Sequence, residues 1–513
     1  MEPTRPGPED KSRVGNMRMT GLLIAGALAG KILGFLREIA FARLLGATVV
    51  ADGFRSALTA TLLPIAPLQG DAVPAVLIPL HKRWSAEGRA PERFTSLTLA
   101  LVCFSVGILV IVELFADSWM RMIATGFGPE AHEIARQFLQ VMALGIPAST
   151  LLSCLSSVEL SLGRSRITSL RASIYNFGVM VGIIITSKSG NPIAIAWCFT
   201  AAFNVTALWG TWTLVREGAL DLRSVRPAIA FSAVRQFLQQ MRSMLVQPFA
   251  EQGNVWLERL LGSASGVGVV ASLDYARTLT ETALFLISQP IGYVVLGRGH
   301  QGAEQMRRYI EAIARPLCAV TAPASVFLFL FAPDIVRLVF AHGVFDEHAV
   351  GLTGNAVRGI AVGLWAATLG WILIRSLNAA GRNRIAAWIL AAAYATNALF
   401  NLILVPIIGS LGLGLGEAVR GLVLLAGAAI ALRCGGLLVR IILPVLPGCA
   451  VLGIAGTLVL AHLDQTLARL GYGMLLYLMV TIPTVIFVSP DAANHLIGRI
   501  FFKRPRYMPR PNE

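Results

Sequence analysis

The sequence predicts an all-α polytopic membrane protein of about 14 transmembrane helices, built as two homologous six-helix lobes plus two C-terminal helices. Three observations carry this. Of 513 residues, 55% are hydrophobic and only 14% charged, with a mean hydropathy of +0.68, a balance that belongs to membrane chains rather than to a large soluble core. Apolar runs long enough to span recur along the chain. A span takes about 20 residues, and such runs exclude a barrel, so the crossings must be helices with their backbone bonds satisfied internally. The third observation is that cations gather in alternate loops.

In order, the spans are expected at about 17–45, 50–80, 94–116, 131–162, 167–186, 192–215, 236–261, 266–297, 309–340, 347–379, 384–407, 411–432, 437–461 and 470–498. Residues 1–16 are polar and Pro-rich without an Ala-x-Ala cleavage pattern, and read as a disordered cytoplasmic tail before an uncleaved first span. Pro64, Pro67, Pro74 and Pro79, with Gly70 and Asp71, predict a bent or broken second span. The basic loops include Lys82, Arg83, Arg89 and Arg93, then Arg164, Arg166 and Arg171, then Arg216, Arg223, Arg226 and Arg235, then Arg382 and Arg384. Both tails are basic as well. By the positive-inside rule both termini are cytoplasmic and the number of spans is even. Residues 222–237 alternate basic and apolar, as an interfacial helix or a plain linker would.

An internal repeat sets the lobes. Residues 143–167 and 361–385 align without a gap at an offset of 218, with ten identities in 25 positions, and both close on Gly-Arg-x-Arg-Ile. A weaker echo joins Arg43-Leu-Leu-Gly, with Asp52-x-x-Arg55 after it, to Arg259-Leu-Leu-Gly, with Asp274-x-x-Arg277 after it. These give an N-lobe at 17–225, a C-lobe at 226–436, a last pair of helices at 437–498 and a basic cytoplasmic tail at 499–513. An even number of spans separates the repeats, so they run in the same direction about an axis along the membrane normal, with substrate bound between them.

Several function classes drop out. The six cysteines form no Cys-x-x-Cys pair and sit almost all in apolar runs, as small fillers. No nucleotide, metal or nucleophile motif is present, and the histidines are scattered. No catalytic residue, metal or cofactor is expected, and the net charge of +15 follows membrane topology rather than nucleic acid.

The unusual stretch is Lys31 to Arg55, where Lys31, Arg37, Glu38, Arg43, Asp52 and Arg55 interrupt a spanning pattern. Each charge at such depth costs roughly 2.5–3.5 kcal/mol on insertion scales. Lys31, Gly34 and Glu38 share one stripe, and Asp52 and Arg55 stand one turn apart, where they can pair. One reading is an internal cationic cavity for an anionic cargo. The other is snorkelling with local ion pairs, which suits Arg43 but not Lys31 or Arg37, both deep in the run. Glu417 and Arg420 read as a structural pair. Glu113, Glu159 and Arg375 read as groups solvated at helix ends.

The chain resembles the MurJ (MviN) family of lipid II flippases, within the multidrug/oligosaccharidyl-lipid/polysaccharide exporter superfamily. The residues that carry the resemblance are Lys31-Ile-Leu-Gly-Phe-Leu-Arg37-Glu38, Leu45-Gly46-Ala47, Asp52-Gly-Phe54, Val339-Phe340-Ala-His342-Gly343-Val-Phe345, and Asp274-Tyr275-Ala276-Arg277 with Glu281. The resemblance implies alternating access around a cationic cavity, with a polyprenyl-diphosphate-linked glycan as cargo in the bilayer of the bacterial inner membrane. It places Lys31, Arg37 and Arg277 as cavity cations and Asp52 as an essential acid. Arg55 has no family counterpart and joins the cations as a charge that compensates for a missing one, and Glu38, Asp274 and Glu281 join the acids as gating groups. The family's basic pair near the end of the second span is absent from Leu63–Asp71, and His342 stands for a motif Arg. The alternatives are a flippase for a lipid-linked exopolysaccharide or O-antigen unit, an ion-coupled multidrug exporter, and a scaffold for envelope-synthesis proteins. Coupling to membrane potential or to a monovalent cation is expected.

Overall fold

The computed structural model describes residues 8–69, 72–221, 223, 225–242, 244–296 and 303–490. The tail expected at 499–513, the first seven residues, Gly70 and Asp71 lie outside them. Among the described residues the regular structure is all helical. α1 (Pro8–Leu45) begins inside the stretch read as a tail, with Pro at the first helical position, where its missing N–H is harmless. It turns at Gly46, φ +60°, into α2 (Val49–Leu62), which passes through a 3₁₀ turn at Leu63–Leu68 before α3 (Ala72–Ala86). The predicted break is there, at Pro64 and Pro67, which remove backbone donors.

Next come α4 (Ala90–Leu114), the short α5 (Ala116–Ile123), and α6 (Pro129–Ala143), bent by 45° into α7 (Ile146–Ser161). α8 (Arg166–Ser189), α9 (Ile193–Arg216), α10 (Pro227–Met241), α11 (Val246–Ser265) and α12 (Val269–Leu296) follow. Beyond them run α13 (Ala303–Phe340), α14 (Glu347–Ala379), α15 (Asn383–Ile408), α16 (Ser410–Leu432), α17 (Gly435–Ile442), α18 (Leu446–His462) and α19 (Thr466–Val488). Ten helices or helical runs among the described residues are long and apolar enough to cross a membrane, eleven if α6 and α7 make one bent span. The other three predicted spans coincide with α1, α11 and α12, the helices that carry most of the charges described below. The span expected at 236–261 is divided, because the chain breaks between Met241 and Val246. α10 buries Ala233, Phe237 and Met241 at four-residue spacing against α3 and α4, and exposes Phe231 and Leu238.

Contacts gather the chain into two compact units. One comprises residues 1–282, 339–356 and 397–413, and the other 283–338, 357–396 and 414–513. In the first, Trp84, Phe94, Leu97, Leu152, Leu155 and Leu214 form the core between α3, α4, α7 and α9. α1 lies close along α8, where a Cβ added to Gly30 would stand 2.9 Å from that of Ala172, so only glycine permits the approach. In the second unit, Leu369, Ile372 and Leu373 of α14 pack with Leu424 and Leu425 of α16 and Leu317 of α13. Phe327 and Phe331 pack with Leu452 of α18.

The repeat is visible in the backbone. After α7, Leu162, Gly163 and Arg164 donate to the carbonyls of Val158, Leu160 and Glu159 at 3.0, 3.0 and 2.9 Å. After α14, Ala380, Gly381 and Arg382 donate to Ser376, Asn378 and Leu377 at 3.0, 3.0 and 2.9 Å. Every one of these six positions is related by the same offset. Gly163 and Gly381 take φ +74° and +73°, the left-handed conformation that ends a helix and that glycine adopts freely.

Candidate functional site

In the first unit, α1, α2, α11 and α12 place their charges in one alternating chain. Asn176 of α8 anchors its first member. Its side-chain amide donates to the Gly30 carbonyl at 2.8 Å, and its oxygen accepts from Arg37 Nη1 at 2.9 Å. Arg37 Nη2 donates to Glu38, which lies between two guanidiniums: Arg55 donates to both of its carboxylate oxygens, Nη1 at 3.2 Å. Arg55 Nε stands 3.6 Å from Asp274. Arg259 closes the chain, its Nη2 donating to both oxygens of Asp274 at 2.9 and 2.8 Å, and its Nε to Thr59 at 3.0 Å. Glu38 and Arg55 are buried, with the Arg55 guanidinium 4.7 Å from the Phe41 ring centroid and 5.4 Å from that of Tyr275. Paired guanidinium forks on carboxylates make this tolerable in a low dielectric, where a lone charge is not.

Two further pairs flank the chain. Arg277 Nη2 donates to both oxygens of Glu258 at 2.7 Å, and Asn254 and Asn397 add donors to Glu258 at 2.8 and 3.3 Å. Asn401 donates to Asn397 at 2.9 Å. Lys31 Nζ stands 3.5 Å from Glu281. The cations differ in reach: the side chains of Arg55 and Arg259 are 6% and 8% exposed, those of Arg37, Arg277 and Lys31 16%, 18% and 29%.

Asp52 departs from its expected partner. Its carboxylate does not pair with Arg55 but accepts the backbone N–H groups of Gly268 at 2.6 Å and Ala271 at 2.8 Å. These are orphan donors at the N-terminus of α12, and a carboxylate there also complements the helix dipole. The same region is tied by Tyr275, whose hydroxyl donates to the Gly46 carbonyl at 2.7 Å, and by Val344 N–H, which donates to the Arg43 carbonyl at 3.0 Å. The Phe340 and Phe345 rings pack on Tyr275 at 5.3 and 5.5 Å. Trp256 Nε1 reaches the Met122 carbonyl at 2.7 Å and Gly126 N–H reaches Ser263 at 3.2 Å. Together they join α11 and α12 to the α1–α2 and α5–α6 turns.

All eight predicted site residues thus lie in one unit, in one ion-pair network or on its border. The sequence reading missed Arg259 and Glu258, although Arg259 opens the Arg-Leu-Leu-Gly echo. It also missed Asn176, Asn254, Asn397 and Asn401, for which buried amides in apolar helices were the available signal. Glu159, expected to be solvated, is buried and accepts the Ile167 N–H at 2.6 Å, which caps α8. Glu417 and Arg420 pair as expected, with Arg420 Nε donating to Glu417 at 2.7 Å.

Comparison with known proteins agrees with this architecture. A lipid II flippase MurJ of Burkholderia cenocepacia is 22% identical over 425 residues, 79% of this chain and 82% of the relative. A probable lipid II flippase MurJ of Rhizobium tropici is 25% identical over 433 residues, 78% of each. Among solved structures, a lipid II flippase MurJ in an inward closed conformation superposes with a TM-score of 0.79 at 17% identity, covering 91% of this chain and 99% of that one. An inward-facing multidrug resistance transporter of the MATE family gives 0.65 at 16% identity, over 81% and 98%. The family model described as lipid II flippase MurJ matches residues 41–435, well over half of the sequence, and the chain belongs to that family.

Proposed function

We propose that this chain moves a polyprenyl-diphosphate-linked glycan, lipid II, from the inner to the outer leaflet of the bacterial inner membrane by alternating access, with both termini in the cytoplasm. The observation that carries the reading is the alternation of Arg37, Glu38, Arg55, Asp274 and Arg259, in which Glu38, Arg55 and Arg259 are buried. Structural stability alone does not call for it, since apolar residues of similar volume serve as well or better. A diphosphate is a compact anion suited to guanidinium forks and an ammonium.

Exposure decides the roles. Arg37, Arg277 and Lys31 are the cations a head group reaches; Arg55 and Arg259 are enclosed and hold Glu38 and Asp274 in place. Each reachable cation already has a carboxylate partner: Glu38, Glu258 or Glu281. The phosphates displace these acids on binding, and the acids return on release. That competition supplies the differential affinity between two states without which a ligand moves no equilibrium. Asp52 acts apart from the cargo. It latches α2 to the start of α12, and this latch opens when the site turns to face the periplasm.

The test is head-group flipping in vesicles by Lys31→Ala, Arg37→Ala and Arg277→Ala at matched protein levels, with lipid II and a lipid-linked exopolysaccharide unit as parallel substrates. Loss of flipping is expected for Arg37→Ala and Arg277→Ala. Normal rates in all three variants would overturn the mechanism. Faster flipping of the exopolysaccharide unit than of lipid II would reassign the cargo.

A further inference from the structure

A cavity of about 450 Å³ lies within the first unit, walled by α2, α3, α7, α8 and α9. Its size suits a small-molecule group. One wall is aromatic: Tyr175, with Phe199 and Phe203 at 5.5 and 5.7 Å from it. Polar groups face it from other sides, and two are unsatisfied. Ser156 is 6% exposed and its hydroxyl has no partner, whereas neighbouring Ser157 bonds back to the Ser153 carbonyl at 2.7 Å. The Thr168 hydroxyl, also on the lining, is likewise buried and unpartnered. Such groups are unfavourable unless something bonds them.

The charge in the cavity is Arg171, on α8. No Asp or Glu lines the cavity, and among the described residues no hydrogen bond or ion pair holds the Arg171 guanidinium. This contrasts with the site above, where every cation has an acid partner. The two regions share a wall. The Arg37 guanidinium sits over the Tyr175 ring, 5.3 Å from its centroid. A diphosphate held by Arg37 therefore has the cavity beside it, and the sugar joined to that diphosphate is the next group in line. An aromatic floor suits the apolar face of a sugar ring, and free hydroxyls suit its rim.

We propose that this cavity holds the first sugar of the head group and that Arg171 pairs with a carboxylate carried on that sugar or on its substituent. The inference rests on the flippase reading above. It makes Arg171 a specificity residue: the diphosphate is common to many lipid-linked glycans, whereas a carboxylate near the first sugar is not. A bidentate guanidinium distinguishes the two head groups because a neutral one leaves the partly buried cation without a partner.

The experiment is equilibrium binding to the full-length protein in nanodiscs, with two probes: lipid II, and lipid II with its stem carboxylates converted to amides. The native chain should prefer the first. Arg171→Gln should weaken lipid II at least tenfold and leave the amidated probe within about twofold, and Arg171→Lys should restore part of the preference. Ser156→Ala should weaken both probes modestly. An Arg171→Gln protein that binds both probes as the native chain does would overturn the proposal. So would an equal loss on both, which would mean that Arg171 serves the diphosphate or the fold. Flipping by the same samples separates the two readings. A chain that shows the Arg171-dependent preference but moves neither lipid refutes the transport function and supports the site. One that flips lipid II without the preference refutes the site alone.

Discussion

Asp52 offers the sharpest test of how the site changes state. Its carboxylate is 2% exposed and accepts two backbone N–H groups at 2.6 and 2.8 Å at the start of α12. Hydrogen bonds to a charged group contribute about 1.5–3 kcal/mol each. Asp52→Asn removes the charge and leaves one carbonyl oxygen for two donors, so the loss is about 2–4 kcal/mol in whichever state holds the contact. At about 1.4 kcal/mol per tenfold, the balance shifts by roughly 30- to 1,000-fold towards the state in which α2 and α12 have parted. Ala51, 0% exposed beside Asp52, is the reporter. In a background with the six native cysteines replaced, Ala51→Cys should resist a membrane-impermeant maleimide added from the periplasmic side. Adding Asp52→Asn should make it label readily, while flipping slows because the resting state is depleted. A fall in thermal stability with no gain in labelling would refute the reasoning: Asp52 would then cap α12 in every state.

Other expectations follow from the same contacts. Glu38→Gln leaves the buried Arg55 and the partly buried Arg37 around a neutral amide, so it should destabilise the protein by about 3–5 kcal/mol and stop flipping, as thermal unfolding and vesicle assays would show. Lys31→Ala, by contrast, breaks a half-exposed pair and should change stability by less than about 1 kcal/mol. Glu159→Gln weakens the cap on α8; unfolding should occur about 1–2 kcal/mol earlier with the flipping rate per folded molecule unchanged. A reporter fused after Arg384 should be active only in the cytoplasm and one after Lys188 only in the periplasm, and the reverse pattern would invert the topology.

The fold was legible because spans are long, and their apolar periodicity survives an error of several residues at each end. The Pro64 and Pro67 break and the Gly163 and Gly381 turns were legible for a local reason: proline lacks a donor and glycine tolerates positive φ wherever they occur. The site was legible only in its membership. Lys31, Arg37, Arg55 and Arg277 stood out because charge is costly in a bilayer, and the same logic applied to Glu258 and Arg259 would have added both. Partners were not legible. Asp52 and Arg55 stand one turn apart, yet the donors that win Asp52 lie 216 and 219 residues away, where no spacing rule reaches. The α10–α11 break was hidden for a related reason. Its residues are apolar enough to extend a span, and the packing of Phe237 and Met241 is on helices distant in sequence, which no local pattern reports.

The charge balance of the site bears on how transport is driven. The sequence presents Lys31, Arg37, Arg55 and Arg277 as a cationic cluster, which a negative-inside potential would pull back towards the cytoplasm when empty. The structure adds Arg259 to the cations and sets Glu38, Glu258, Asp274 and Glu281 against them, while Asp52 lies on the backbone N–H groups of Gly268 and Ala271. Four paired acids then offset most of the charge of the five cations, so on the proposed mechanism the field has little net charge to pull in the empty network. On the proposed reading, a diphosphate arriving in it brings negative charge to cations that already have acid partners, and only Arg171 of the neighbouring cavity is held by no acid among the described residues. If the cargo binds as proposed, the potential would act mainly on the loaded step and push the anion outward, at about 2.3 kcal/mol per charge per 100 mV for full transit. The empty site would then return with little electrical work against the field. Acids that look like a handicap in an anion site are what make this possible. On this reading they keep the unloaded ion-pair network close to neutral, and they let the cargo, rather than the protein, carry most of the charge that the field moves.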